Sequence, residues 1–331
     1  YRGTEKVLVP GKGWTCNMAE GIPPLEHASP VFEAVLKLRQ IYDVGQTPYG
    51  HRVVCVVETG AISGEKIHGT VMSGGLDFEL SFTNGAMELE QVLVIKTDDG
   101  KFAYLHNVGV AVSNADMRMV ADFEAPTNGN YRWLNAGKFL ARRTVDREAK
   151  TLKLTFFDAT DDIRQAAAKP DCIFVTKPEG LPDQPLDFRR VVAGEVRGEQ
   201  VVSEHVTLGP GQFVGETKNG GRNIIPITGG TVSGKIRGQV LDAGADYQKL
   251  VNPMVLDARY LWQTDEGDII IVRNGGSLAS LAPTFEVRLD SKYAWLNQTK
   301  FLSSGPIVGG DGVRLNFFQS TPVNQKRGTD D

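Results

Sequence analysis

Tyr293 to Leu302 reads YAWLNQTKFL, and Tyr131 to Leu140 reads YRWLNAGKFL. Tyr, Trp, Leu, Asn, Lys, Phe and Leu recur at identical spacing, which chance composition would rarely give. The match spreads outward from this pair. GQTPYGHR (Gly45–Arg52) aligns with GETKNGGR (Gly215–Arg222), and ETGAISGEKIHG (Glu58–Gly69) with TGGTVSGKIRG (Thr228–Gly238) after one deletion. GGLDF (Gly74–Phe78) aligns with AGADY (Ala243–Tyr247). MELEQVLVIKTDDGKFAYLHNVG (Met87–Gly109) aligns with MVLDARYLWQTDEGDIIIVRNGG (Met254–Gly276). Phe123-Glu124 returns as Phe285-Glu286, and LTFF (Leu154–Phe157) as LNFF (Leu315–Phe318). The offset drifts from 170 to 161, so small loop indels separate two copies of one unit. A unit of about 125 residues is too long for a solenoid repeat and suits a duplicated domain.

Each copy reads as all-β. Runs rich in Val, Ile, Phe and Tyr alternate with Gly-containing turns roughly every 8 to 12 residues. TDDGK and TDEGD are hairpin turns in which Gly supplies the positive φ of a tight reversal. The 37 glycines fit many turns and the corners of barrels. A small antiparallel barrel per copy is the economical fold, because closure removes exposed edges. The expected organisation is an irregular arm at 1–30, a first barrel at 31–158, a linker at 159–190, a second barrel at 191–320 and a tail at 321–331. The linker carries the one helix candidate, Asp161 to Ala168, which Pro170 stops.

Bulk properties narrow the partners. The chain has 331 residues, 41% hydrophobic and 23% charged, as in globular proteins. A net charge of −4, with no stripe of Lys or Arg, makes nucleic acid and anionic membrane poor partners. No apolar run approaches the roughly 18 residues of a membrane span. The start at Tyr1 fits a removed secretory signal or a trimmed tail, so secretion and a cytoplasmic location both stay open. Cys16, Cys55 and Cys172 match no zinc or redox spacing; a Cys16–Cys172 disulfide and three free thiols are equally compatible. A homo-oligomer is also compatible.

Familiar catalytic signatures are missing. There is no G-x-S-x-G elbow, H-E-x-x-H, Walker A or dinucleotide fingerprint. GPGQFVG and GGTVSG are glycine-rich but lie in β context without a following helix. Five scattered histidines, His27, His51, His68, His106 and His205, offer no ligand spacing, so neither a metal nor a cofactor is expected.

PITGGTVSGKIRGQVLDAGADY, then LDARYLWQTDEGDIIIVRNGG, then KYAWLN, resembles a barrel family long known only as a domain of unknown function. The resemblance covers nearly all of the second copy and, more weakly, the first. It implies a barrel similar to allene oxide cyclase and dirigent proteins, which hold an apolar ligand inside. The tandem arrangement is also similar to fungal natural-product proteins, including hetero-Diels–Alderases of tropolone sesquiterpenoid biosynthesis. The implied activity is a cofactor-independent cyclase, with dehydration to a quinone-methide-type diene, acting on a small apolar substrate. A lipocalin-like carrier is the alternative, and a purely structural protein a third reading.

The candidate residues cluster in the hairpin Asp257 to Gly276. Asp257, Arg259 and Leu261 share one face of its first strand, and Tyr260 and Trp262 the other. A three-residue turn with a Gly bulge puts Arg273 beside Arg259 and Asp257; a two-residue turn puts it across from Tyr260. Arg273 reads either as a donor polarising a substrate oxygen or as half of a structural Arg–Asp pair. Tyr247, Tyr260, Trp262, Tyr293 and Trp295 would hold a flat apolar molecule or form ordinary core. Asp246 and its twin Asp77 read first as turn aspartates capping backbone N–H groups, and second as a general acid or base. Asn274 and Asn107 recur, as do Asn297 and Asn135, suiting strand-end bonds or ligand contacts. Recurrence points to structure and divergence to function. His106, Leu93 and Ile95 stand where the second copy has Arg273, Tyr260 and Trp262, so the site belongs to the second copy, while His106 and Tyr104 leave room for a pocket in the first. The expected set is Arg273, Asp246 and Asp257 for catalysis, with Tyr247, Tyr260, Trp262, Asn274, Tyr293, Trp295 and His106 for binding. The sequon Asn297-Gln298-Thr299 reads as accidental.

Overall fold

The computed structural model describes residues 29–113, 116–161, 180–181 and 194–322. The expected arm, the linker helix, the Cys16–Cys172 pairing and the tail fall wholly or largely outside those residues. Cys55 is buried and free.

The first copy consists of β1 (Pro30–Thr47), β2 (Gly50–Gly64), β3 (His68–Val71), β4 (Leu76–Ser81), β5 (Met87–Thr97), β6 (Phe102–Ser113), β7 (Asp116–Glu124), β8 (Phe139–Asp146) and β9 (Thr151–Asp158). All pairings are antiparallel, and β1 pairs with both β2 and β9. β3 and β4 share one position between β2 and β5, so eight positions close into a barrel. The second copy consists of β10 (Glu195–Leu208), β11 (Gln212–Thr217), β12 (Gly220–Gly234), β13 (Gly238–Leu250), β14 (Val255–Thr264), β15 (Ile269–Ser277), β16 (Ser280–Glu286), β17 (Phe301–Ser303), β18 (Ile307–Gly309) and β19 (Gly312–Pro322). Its ladder runs β16-β15-β14-β13-β12-β10-β19-β17, with β11 added on β12 and β18 on β19. β16 and β17 lie side by side, and Asn274 Nδ2 of β15 donates to Ser303 Oγ of β17 at 3.2 Å.

Both turns read as hairpins are hairpins. Thr97 N–H donates to Lys101 O and Thr264 N–H to Asp268 O, with Gly100 at φ 81° and Gly267 at φ 93°. The repeated Tyr-x-Trp-Leu-Asn stretch closes one end of each barrel, as α1 (Arg132–Ala136) and as a 3-10 turn (Ala294–Asn297). Its Leu134 and Leu296 are buried, and its tyrosines reach the hairpin turns, Tyr131 to Asp99 and Tyr293 to Glu266, both at 2.9 Å. Asn135 exchanges two hydrogen bonds with the backbone of Ala125, and Asn297 does the same with Val287. With its amide nitrogen donated to Val287 O, Asn297 is a structural residue, consistent with an accidental sequon.

Burial on β5 and β14 runs through both faces, as along Leu89, Glu90, Gln91, Val92, Leu93 and Val94. One face lines a barrel interior and the other meets the second barrel. Val54, Phe78, Val92 and Tyr104 of the first copy join Ile224, Tyr247, Leu261 and Ile271 of the second in one apolar cluster. The polar contacts around it are reciprocal. Arg52 and Thr47 bond Glu286 across the interface, and their counterparts Arg222 and Thr217 bond Glu124. Leu289 N–H donates to Gln46 O, and Thr127 N–H to Glu216 O, both at 2.8 Å. The duplicated chain therefore folds like a two-fold dimer joined into one polypeptide. Gly244 sits at the contact, with φ +84°, its N–H donated to Gly74 O at 2.7 Å; a Cβ there would lie 1.9 Å from Arg259 O.

Candidate functional site

The two barrel interiors differ away from the plugged ends. In the first, Arg143 enters from β8, opposite Leu154, and is almost fully buried. Its guanidinium donates to Asp77 at 2.9 and 2.6 Å and to Glu79 at 2.5 Å, and Arg147 takes the other Glu79 oxygen. Gln91 bonds Asp77, and Asn107 Nδ2 bonds Gln91 Oε1 at 2.8 Å. Polar side chains thus fill this interior. Cys55 brings a thiol beside the Asp77 and Glu79 carboxylates at metal-ligand spacing. Arg143 already neutralises those carboxylates, and burial pushes the Cys55 thiol up, away from the thiolate a metal needs.

The second barrel keeps the aspartate and the asparagine but changes the residues around them. Asp246 stands for Asp77, with Gln248 for Glu79 and Ala258 for Gln91. The continuous β8 is replaced by β17 and β18, which flank a break at residues 304–306, so that Gly305 stands where the first copy has Arg143 and no arginine among the described residues lines the interior. A cavity of about 750 Å³ results. Its walls are mostly aliphatic, including Val206, Leu208, Ile225, Ile227, Leu256 and Leu281, with Leu278 and the 82% exposed Val308 among the lining.

Pairing of β13, β14 and β15 arranges the polar residues in rows. Asp246, Ala258 and Asn274 lie side by side across three strands, and Gly244, Tyr260 and Val272 form the next row. Asp246, Gln248, Tyr260 and Asn274 all line the cavity. Asp246 accepts hydrogen bonds from Gln248 Nε2 (2.9 Å) and Asp257 N–H (3.0 Å), both neutral donors. Burial pushes its carboxyl up to about 6. Behind the cavity Glu204, 1% exposed, accepts from the Tyr260 hydroxyl at 2.6 Å and from Trp262 Nε1 at 2.9 Å. Burial pushes Glu204 up to about 7. Asn274 Oδ1 is buried without a hydrogen-bond partner among the described residues, as is Asn107 Oδ1 in the first barrel.

A family model described as a protein of unknown function, DUF3237, matches residues 26–158 and again 197–280, about two thirds of the chain. The chain belongs to the DUF3237 family. A UPF0311 protein of Bradyrhizobium diazoefficiens is 47% identical over 64 residues, 19% of this chain and 42% of that protein. One of Rhodopseudomonas palustris is 44% identical over 73 residues, 21% and 47% of the two chains. The chain thus spans less than half the length of these curated relatives. Among solved structures, one described as an enzyme from Penicillium herquei is 20% identical, covering 41% of this chain and 96% of that one, with a TM-score of 0.33.

Within this DUF3237 tandem the expected site residues separate into three groups. Asp246, Tyr260 and Asn274 come together at the cavity. Asp246 is mid-strand on β13 rather than in a turn, although it does accept a backbone N–H. Trp262 is fully buried beside Phe285 and Phe317, and reaches the site only through Glu204. Tyr293 and Trp295 belong to the plug, where Trp295 packs on Phe301.

Arg273, Asp257, Tyr247 and His106 face the other barrel. Arg273 pairs in register with Arg259, as the bulged-turn alternative requires. Arg273 bonds Glu90 at 2.7 Å and stacks over Phe78, while Arg259 bonds both Glu90 and Asp257. Burial would raise Glu90, but Arg273 and Arg259 hold it well below the usual carboxylate range. His106 bonds Glu90 at 3.0 Å, and Tyr247 packs on Tyr104. His106 and Tyr104 line a polar cleft of about 340 Å³ between the barrels, with Asp257, Arg259 and Tyr247. The room that His106 and Tyr104 leave thus lies between the barrels.

Sequence reasoning missed Glu204 and Gln248. In VVSEHVTL, Glu204 alternates with Val202, Val206 and Leu208, so a lone carboxylate falls on the apolar face of its strand, and that was one signal. The repeat held a second: Glu204 aligns with Ala34, and the two have equivalent strand partners, Val232 and Leu315 against Ile62 and Leu154.

Proposed function

We propose that this protein is a cyclase whose second barrel binds a small apolar substrate and closes a ring on it by acid–base chemistry of its own side chains. The observation that carries this reading is Asp246, a half-buried carboxyl in a largely apolar cavity whose pKa is pushed up to about 6 by desolvation. An acid with this pKa exchanges protons readily near pH 7. The corresponding region of the first barrel is occupied by Arg143 and its partners.

The reaction is of the hetero-Diels–Alder type, beginning with dehydration. Protonated Asp246 gives its proton to a benzylic or allylic hydroxyl, which leaves as water, while the substrate's phenolic or enolic proton is removed. The quinone-methide-type diene then adds across an alkene, forming two bonds with no further proton transfer. Aliphatic walls that fix one folded conformer would supply several kcal/mol by orientation alone and choose one stereoisomer. The same apolar lining also suits a carrier that returns its ligand unchanged.

An ortho-hydroxybenzylic alcohol bearing an alkene chain separates the two readings. The cyclase yields a product one water lighter, enriched in one enantiomer on chiral chromatography. Asp246→Asn should lower its rate by at least about 100-fold with binding retained. Tight binding without conversion would establish the carrier instead, and no binding would remove both.

A further inference from the structure

Glu204 is an expensive residue for the inside of a barrel. Its carboxyl is sealed among apolar neighbours such as Val202, Val232 and Phe317, and its hydrogen-bond partners are Tyr260 and Trp262, neither of them a cation. A buried carboxyl without a counter-ion is normally selected against. The same chain contains the control. At equivalent positions the first barrel has Ala34, Leu93 and Ile95, all buried and apolar, so the fold forms without such a group. Glu204, Tyr260 and Trp262 therefore differ from the first copy together, in the barrel that has a cavity. Of the three, Tyr260 lines it.

We infer that Tyr260 and Glu204 form the proton-accepting relay of this cavity, taking the proton of a substrate hydroxyl. The inference rests on the reading of the cavity as the substrate site. When Glu204 is ionised, the Tyr260 O–H is committed to it at 2.6 Å. The phenol oxygen then has lone pairs left and no proton to offer, so it accepts from a ligand O–H. In the transfer step the ligand O–H bond breaks and its proton joins the Tyr260 oxygen, while the Tyr260 proton passes to the Glu204 carboxylate. The ligand becomes an oxyanion, Tyr260 ends neutral, and Glu204 ends as the acid. Burial holds the Tyr260 hydroxyl well above its ordinary value, and the Glu204 and then the Asp246 carboxylates add to this as nearby negative charges. Asp246 and the relay thus divide the proton transfers: Asp246 donates to the leaving hydroxyl and Tyr260–Glu204 receives the phenolic or enolic proton. Tyr260 touches the ligand; Glu204 is a positioning residue acting through it. The ligand class that follows is an apolar molecule carrying an acidic hydroxyl, a phenol or enol.

The test compares 2-naphthol with 2-methoxynaphthalene, measured by calorimetry at about pH 5.5 and about pH 8 with the full chain in the Asp246→Asn background, which removes the other carboxyl. Naphthol should bind about tenfold more tightly at the higher pH, the value of one good hydrogen bond, while the ether shows no pH dependence. Glu204→Gln and Tyr260→Phe should each abolish the naphthol advantage and leave ether affinity within about twofold, which also shows that both variants are folded. Binding of both probes with no difference between them at either pH would overturn the relay and leave the cavity reading standing. Binding of neither would overturn the cavity reading, and the relay with it.

Discussion

Glu204 and Arg143 are buried charges handled in opposite ways. Arg143 enters the first barrel already paired with Asp77 and Glu79, whereas Glu204 has two neutral donors. The Glu204 carboxyl, ordinarily at 4.5, is pushed up to about 7 by burial, so the folded state holds its proton over a pH range where the unfolded state has lost it. Below 4.5 the group is protonated in both states and has no effect; as pH rises toward about 7 stability falls, and above that the loss is complete. At about 1.4 kcal/mol per pH unit the full loss is about 3 kcal/mol. Glu204→Gln should therefore gain on the wild type by up to about 3 kcal/mol between about pH 4.5 and about pH 8, measured by urea unfolding. A difference between the two proteins that is the same at both ends of that range would show that Glu204 is not held near neutrality by burial. Such a residue is legible in its strand, because Glu204 alternates with Val202, Val206 and Leu208 and so shares their apolar face. The comparison with Ala34 adds that the fold does not require a carboxylate there.

The element that dominates the sequence is the plug that closes each barrel. Its Asn is bound by both amide atoms to the residue that follows an interface glutamate: Asn135 to Ala125 after Glu124, and Asn297 to Val287 after Glu286. The plug thereby fixes the segment from which the glutamate reaches the other barrel's arginine. This explains why Tyr, Trp, Leu, Asn and the distant Phe-Glu repeat together: the motif records barrel closure and barrel pairing rather than chemistry. Asn297→Ala would leave the N–H and C=O of the fully buried Val287 without those partners, at about 2–4 kcal/mol. Asn135→Ala should lose a similar amount at Ala125, and a thermal midpoint unchanged in either variant would contradict the role. The strands, hairpin turns and duplication were legible because periodicity and glycine placement are local signals. The face of the Asp257–Gly276 hairpin was not. Both of its faces are buried, one by the barrel interior and one by the partner barrel, so a charged face such as Arg259 and Arg273 looks like an active site when it is an interface.

At the scale of the molecule, duplication freed one barrel from the constraints of the other. The reciprocal contacts Arg52–Glu286 and Arg222–Glu124 keep both copies bound to the same interface residues, while their interiors diverged into a filled barrel and a hollow one. Holding the halves together falls to these buried ion pairs, to Glu90 with Arg259 and Arg273, and to the shared apolar cluster around Phe78, Tyr104, Tyr247 and Ile271. None of these depends on the covalent connection between Asp158 and Glu195. Cleavage at a protease site inserted between those residues should therefore leave a stable pair of barrels that co-elute on size exclusion at about 0.15 M salt, because buried pairs are little screened. Replacing both Glu124 and Glu286 by Ala removes the carboxylates that Arg222 and Arg52 bond across the interface, at about 3–5 kcal/mol each, so the cleaved halves of that variant should separate. Separation of the cleaved wild type would mean that the tether, not the two-fold interface, holds the barrels in place. Co-elution in the wild type and separation in the double variant would show that the glutamates repeated beside each plug carry the assembly.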